Sequence, residues 1–310
     1  MKIGIVGAGA IGSTFAARLA RTNDVVVLAR RRAVAELLAR DGIAIEGARG
    51  ETQHVAVRAT ADPRAFADRD AVIVAVKAYA TGDALAPLRE VLPPHALIAS
   101  VQNGLGNVEA ARAALPGARV IAGSTTQGAI ALADGRVRPI NAGTTIFARD
   151  DTTAPGSDDL AAAFAAAGLG ARVADDVDAL LWQKLIVNAA INPVCALAGR
   201  PNGAVVTDPD LAALARALAG EAAAVGRAEG ADPGDPWRAV EAAARASAAN
   251  RNSMLQDLEA GRRTEVEAIS GAVARRAATH GIAVPVTETV LRLVRGRERS
   301  TTEPRSKGRP

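Results

Sequence analysis

The chain opens on a short apolar run, Lys2–Val6, broken at once by Gly7-Ala8-Gly9-Ala10-Ile11-Gly12. A helical spacing of apolar residues follows to about Thr22, and then a second β-branched run, Val25-Val26-Val27-Leu28. Strand, glycine turn, helix and strand in that order predict a βαβ unit. Downstream, residues 32–40 read as a helix, and 43–46 with 55–57 as short strands of a hairpin-like excursion. Residues 71–76 are apolar without interruption, the pattern of a strand buried on both faces. A helix is predicted over 81–92, halted by Pro93-Pro94, then a strand over 96–101, a helix over 107–115 and a strand over 119–123. Residues 137–140 and 144–147 read as an antiparallel pair, followed by a helix over 158–167 and a last strand over 171–173. Strands alternating with helices predict an α/β fold, a Rossmann-type doubly wound sheet.

From about Asp176 the strand signals stop. Asp208-Pro209 and Asp235-Pro236 each read as an N-cap followed by proline in the first helical turn. Thr264-Glu265-Val266-Glu267 has the form of a capping box, and Gly281 and Pro285 close the helix it would open. The pattern predicts three parts: a Rossmann-type domain over 1–175, an all-helical domain over 176–296, and a charged tail over 297–310 expected to be disordered. There is no internal repeat.

One helix of the second domain departs from simple patterning. Residues 180–193 are apolar on nearly every side, as in a buried central helix, yet Lys184, Asn188 and Asn192 recur every fourth residue along one face. An ammonium and two carboxamides on a buried helix are costly unless they meet partners. A solvated face would carry more charge and better helix formers than asparagine. The stripe is therefore expected to line a cleft against the first domain.

Composition narrows the classes. The chain has 310 residues, enough for two domains; 49% are hydrophobic but only 2% aromatic, so the cores rely on alanine and other small residues. The net charge of +4 comes from excess arginine, a good part of it after Arg292, and stacking platforms for nucleic acid are missing. Cys195 is the single cysteine, so no intrachain disulfide forms, and its apolar context suggests a small core residue. No metal-ligand pattern stands out. No apolar run reaches the length of a membrane span, and the first strand leaves no room for a signal peptide. A cytoplasmic protein without nucleic-acid or membrane partners is expected; a homodimer is compatible with these features.

The glycine motif carries the first chemistry. Gly7 permits a sharp turn, Gly9 lets the backbone approach a pyrophosphate, and Gly12 lets the helix sit close, while the helix N-terminus offers N–H groups to phosphate. An NAD-binding unit usually has an acidic residue about 20 positions past this motif; here Ala29 and Arg30 stand there. A guanidinium suits a 2′-phosphate that a carboxylate would repel, so the expected cofactor is NADP(H), with Arg30 as first contact, Arg31 as a second, and Arg32 solvated. Lys77, Asn103 and the segment 124–129 fall at strand ends on the same predicted rim. Lys184, held in a semi-apolar cleft, can have its pKa lowered toward neutrality and protonate an alkoxide formed when hydride reaches a ketone. The asparagine amides can donate to a carboxylate or hydroxyl. Glu265 suits the first turn of its helix, and Ser253 lies in the run Asn252-Ser253-Met254-Leu255-Gln256-Asp257.

At these residues the sequence resembles the ketopantoate reductase (2-dehydropantoate 2-reductase) family over nearly its whole length apart from the tail. Trp182-Gln183-Lys184-Leu185 with Asn188 and Ile191-Asn192-Pro193 carry the resemblance, and Pro201-Asn202-Gly203, Ser253 to Asp257, Thr264 to Glu267 and His280 to Pro285 support it. The resemblance implies NADPH-dependent reduction of 2-dehydropantoate to pantoate, a step of pantothenate and coenzyme A biosynthesis, with hydride delivered to C2 and Lys184 as proton donor. It implies that Asn188, Asn192, Asn202 and Ser253 hold the substrate's carboxylate and hydroxyl. Gly7, Ala8, Gly9, Ala10, Ile11, Gly12, Arg30, Lys77, Asn103 and Ala129 would contact NADPH, and Glu265 would stand with Lys184 where cofactor and substrate meet. Asn252 departs from the serine often found before Ser253, which leaves the identity of the acid open. The rival readings are reduction of another 2-oxo acid or an opine-type substrate, and a non-catalytic NADP(H)-sensing protein. The polar stripe argues against the sensor.

Overall fold

A computed structural model describes residues 1–47, 49–150 and 152–302. The chain divides into two compact units. The first comprises Met1–Gln102 and Gly106–Val177; the second comprises Asn103–Leu105 and the described residues from Asp178 onward.

The first unit contains β1 (Lys2–Val6), α1 (Ala10–Leu19), β2 (Asp24–Leu28), α2 (Arg32–Asp41), β3 (Ile43–Glu46), β4 (Thr52–Val55), β5 (Arg58–Thr60) and β6 (Ala71–Val74). It continues through α3 (Thr81–Leu85), β7 (Leu97–Ser100), α4 (Asn107–Ala114), β8 (Arg119–Thr125), β9 (Gly128–Ala133), β10 (Arg136–Asn141), β11 (Thr144–Ala148), α5 (Ala154–Ala166) and β12 (Gly170–Ala174). Eight strands form one sheet in the order β12-β11-β8-β7-β6-β1-β2-β5. From β5 to β8 every pairing is parallel, and β11 turns antiparallel against β8. All four residues of β6 are buried, as its unbroken apolar run predicts. On one side of the sheet Phe164 packs edge to face with Phe15 and Phe147, with centroids 5.0 and 5.1 Å apart.

Two expectations fail here. Residues 137–140 and 144–147 do not pair with each other. β10 joins β9 and β3 in a separate four-stranded sheet, β4-β3-β10-β9, while β11 joins the large sheet. The cause is a clamp at the intervening bend: Thr126 N donates to Thr144 O at 3.0 Å, Thr144 N to Thr126 Oγ1 at 2.9 Å, and Gln127 Nε2 to Gly143 O at 2.5 Å. These bonds hold the bend after β8 against the bend before β11, so β9 and β10 loop out as a hairpin. The helix predicted over 81–92 is shorter, α3 followed by a single 3-10 turn, Ala86–Leu88. Pro87 has no N–H to continue the α-helical ladder.

The second unit is helical: α6 (Asp178–Ala198), α7 (Ala204–Thr207), α8 (Pro209–Ala228), α9 (Pro236–Ala246), α10 (Ser253–Glu259), α11 (Ser270–Thr279) and α12 (Pro285–Thr302). Both aspartate caps form: Asp208 accepts from Asp210 N and Leu211 N, and Asp235 from Arg238 N. α6 runs through the centre of this unit, against α8, α9, α10 and α12. At 21 residues it is long and apolar enough to cross a membrane, contrary to the expectation that no segment is; its buried residues, from Trp182 to Ala196, belong instead to the unit's hydrophobic core.

The capping box does not form. Thr264 Oγ1 accepts from Val266 N at 3.1 Å, two residues on, and the Glu267 carboxylate is taken by Arg295 at 2.6 and 2.8 Å. Residues 264–269 make a turn ahead of α11, so Glu265 lies before that helix and not in its first turn. The same contacts explain why residues 297–302, expected in a disordered tail, continue α12. Arg295 and Glu298, which accepts from Thr264 N at 2.7 Å, tie that helix to the 264–267 turn. The remainder of the expected tail, 303–310, lies outside the described residues.

Candidate functional site: a glycine loop and a polar helix face

In the first unit the carboxyl ends of β2, β1 and β6 lie side by side. Gly7 N donates to Leu28 O at 3.1 Å and Ala75 N to Val6 O at 2.9 Å. Gly7 adopts φ of 114°, a conformation that side chains disfavour. A Cβ on Gly12 would sit 2.0 Å from Gly7 O, so the loop folds this tightly onto α1 only with glycine there. A Cβ on Gly9 would meet nothing within 4 Å. The space in front of the loop is open, and the first-turn N–H groups of α1, which have no intrahelical acceptor, are those that bind anions. Ala8, Ala10 and Ile11 are part-buried around this turn.

Arg30 follows β2 and is exposed. Arg31 occupies the N-cap position of α2 and pairs with Asp134 at 2.5 Å. Arg32 is exposed in the first turn of α2. Lys77 follows β6 as the residue capping a 3-10 turn, Ala78–Ala80. Ala129 lies near the start of β9, opposite Pro139. Sequence reading missed Gln102, which is buried at 7% exposure just past β7 and donates to Val76 O at 2.8 Å and Thr81 Oγ1 at 2.7 Å. Its signal was present but weak: a glutamine directly after an apolar strand run.

In the second unit the stripe on α6 is real. Lys184 and Asn188 are part-buried, and Asn192 is buried at 7% exposure. Burial lowers the Lys184 ammonium from its ordinary 10.5 to about 8, against the opposing pull of the Glu265 carboxylate. Glu265 is itself buried and accepts from Asn103 Nδ2 at 3.4 Å. Lys184, Glu265 and Asn103, scattered in sequence, thus share one electrostatic neighbourhood. Among the described residues, the Asn188 and Asn192 carboxamides form no side-chain hydrogen bond.

Asn202 differs. Its Nδ2 donates to Ser247 Oγ at 3.0 Å and its Oδ1 accepts from Asn252 Nδ2 at 3.0 Å, while Asn252 Oδ1 caps α10 by accepting from Leu255 N at 3.0 Å. Ser253, exposed, is the first residue of α10. Cys195 is buried, and burial pushes its thiol up to about 11, which disfavours the thiolate. Among the described residues no group of three or more His, Cys, Asp or Glu could hold a metal ion.

Residues 3–151 match the family profile described as Ketopantoate reductase PanE/ApbA, and residues 176–298 match its C-terminal counterpart. A 2-dehydropantoate 2-reductase from Halobacterium salinarum is 36% identical over 305 residues, covering 95% of this chain and 98% of that protein. A crystal structure of a PanE/ApbA family ketopantoate reductase from Ralstonia eutropha superposes with a TM-score of 0.90 at 32% identity, over 98% of this chain and 100% of that one. A D-mandelate dehydrogenase solved with NADH and anilino(oxo)acetate reaches 0.91 at 21% identity, over 98% of this chain and 100% of that one, a likeness of fold alone. With the α/β sheet, the helical second unit and these matches in both halves, the chain belongs to the ketopantoate reductase family of oxidoreductases.

Proposed function

We propose that this chain is a cytoplasmic NADPH-dependent 2-dehydropantoate 2-reductase, in which the first unit supplies most of the dinucleotide contacts and the second those to the 2-oxo acid. The observation that carries the reading is the α6 face: an ammonium lowered to about 8 beside a buried carboxylate, in line with two carboxamides that, among the described residues, form no side-chain hydrogen bond. A bound NADPH supplies hydride to C2 of the oxo acid, leaving oxygen to take a proton. Lys184 holds that proton at Nζ and passes it to the developing alkoxide. Glu265 keeps the ammonium form populated near neutral pH, since its negative charge opposes the effect of burial. Asn188 and Asn192 orient the acid through carboxylate and hydroxyl, with Ser253 at the start of α10 adding a hydroxyl.

On the cofactor side, the N–H groups at the Gly7 to Gly12 turn take the pyrophosphate, Arg30 takes the 2′-phosphate, and Lys77, Asn103 and Ala129 complete the contacts. The preference for NADPH over NADH rests on Arg30 standing where a carboxylate would favour NADH. A panel of 2-oxo acids, followed by loss of NADPH absorbance, tests the reading: 2-dehydropantoate is expected to give the highest kcat/KM. If none of the acids consumes NADPH, the catalytic reading is wrong and the NADP(H)-sensing alternative stands.

One observation favours a different acid. Asn202, assigned to the substrate by family resemblance, is engaged with Ser247 and Asn252. These bonds orient its amide and occupy its oxygen, leaving one N–H to donate, which suits an acid presenting a single acceptor there, and the same panel reads that outcome directly.

A further inference from the structure

The buried carboxamide of Gln102 forms three hydrogen bonds, all inside the first unit. Its Nε2 donates to Val76 O at 2.8 Å and to Thr81 Oγ1 at 2.7 Å, and its Oε1 accepts from Ser100 Oγ at 3.0 Å. Thr81 Oγ1 in turn donates to Ala78 O at 2.9 Å. The segment from Val76 to Thr81 is therefore held at both ends by one side chain from the neighbouring strand. Val76 O belongs to the peptide group whose nitrogen is that of Lys77. Holding that oxygen fixes the peptide plane before Lys77, and Ala80 N, donating to Lys77 O at 2.8 Å, holds the plane after it, so together they set the direction of the lysine's Cα–Cβ bond.

We infer that Gln102 is a positioning residue for Lys77, setting the lysine for its contact with the dinucleotide. The inference rests on the proposed role of Lys77 in binding NADPH. Glutamine is the residue the arrangement requires: a glutamate in the same place would present a carboxylate to a carbonyl oxygen. Methionine would fill the volume but leave Val76 O and Thr81 Oγ1 without their donor. A plain structural staple would also use these bonds, so the test needs a reading that stability alone does not move.

That reading is a double-mutant cycle on the full chain, with NADPH as the titrant and binding followed by nucleotide fluorescence. Gln102→Met is expected to raise the NADPH Kd about tenfold, with the KM for the oxo acid nearly unchanged. Lys77→Ala is expected to weaken NADPH by a similar factor. The double variant should be no weaker than Lys77→Ala within about twofold, because the two residues act as one unit. Thr81→Val, which removes one of the two acceptors and keeps Gln102, is expected to raise the Kd about threefold and serves if Gln102→Met fails to fold. An additive double variant overturns the inference. So does a Gln102→Met or Thr81→Val protein that binds NADPH as the wild type does while Lys77→Ala is impaired. If Lys77→Ala itself binds NADPH normally, the underlying role of Lys77 fails, and the inference falls with it.

Discussion

The two units present their chemistry in opposite ways. In the proposed reading the first works mainly through backbone at strand ends: a glycine turn with open space before it, helix N–H groups, and the exposed Arg30. Its large buried polar groups are satisfied internally. Arg69, at 1% exposure, pairs with Asp24 at 3.3 Å and Asp68 at 2.5 Å, and Gln102 is bonded three times. In the same reading the second unit puts its chemistry on side chains of one buried helix, where Lys184 is driven down to about 8 and Asn188 and Asn192, among the described residues, form no side-chain hydrogen bond. Each arrangement matches the ligand proposed for it. A charge-rich dinucleotide would be met chiefly by repeated main-chain dipoles, with Arg30 and Lys77 added at its edges. A small acid undergoing proton transfer is met by a few side chains whose properties depend on removal from water.

The contrast is most exposed to test at Lys184. Lys184→Ala is expected to lower kcat about a hundred- to ten-thousand-fold while NADPH affinity changes little, as steady-state kinetics and nucleotide titration would read. Full turnover in that variant would remove the second unit's claim to the proton transfer. The pH profile bears on the same point. The ammonium form is the donor, so kcat/KM for reduction should fall as pH rises through about 8, and the reverse oxidation should rise over that range.

Stability runs the other way. Because the folded pKa lies below the ordinary 10.5, the ammonium is a burden on the folded state below about 8, relieved between about 8 and 10.5. Lys184→Met should therefore melt higher than the wild type at pH 7, and the advantage should shrink as pH approaches 10.5.

A smaller effect is expected in the first unit. Arg30→Ala should weaken NADPH about tenfold to a hundredfold and leave NADH nearly untouched. Equal loss for both cofactors would mean that Arg30 does not read the 2′-phosphate. Because Arg30 is exposed, its contribution should also fade with added salt, whereas the kinetic pKa near 8 should move little. The smallest expected change is Asn202→Ala. Loss of its bonds to Ser247 and Asn252 should lower stability by about 1 kcal/mol, read by denaturant unfolding. If the oxo acid's KM rises with no loss of stability, Asn202 touches substrate after all.

Local patterns in the chain account for several features of the fold. The βαβ opening, the two Asp-Pro caps and the every-fourth-residue stripe on α6 follow from spacings within one or two turns of chain. The capping box misled because Thr264 and Glu267 satisfy a local pattern that Arg295 and Glu298, about thirty residues on, override with charged hydrogen bonds. The hairpin of 137–147 misled for a like reason, since the clamp between 126–127 and 143–144 sends its halves into different sheets.

The order of residues alone thus settles where groups of a given chemistry stand along each element: glycines where the backbone turns, Arg30 after a strand, Lys184 with two asparagines on one helical face. Short-range geometry decides those, because a helix or a turn repeats over a few residues whatever surrounds it. Which of those groups already have partners was decided by folding. It occupied Asn202, tied Arg31 to Asp134, brought Glu265 into the field of Lys184 and buried Gln102 behind Lys77. A hydrogen bond or a desolvated charge depends on atoms brought close in space, and their separation along the chain carries no trace of that proximity.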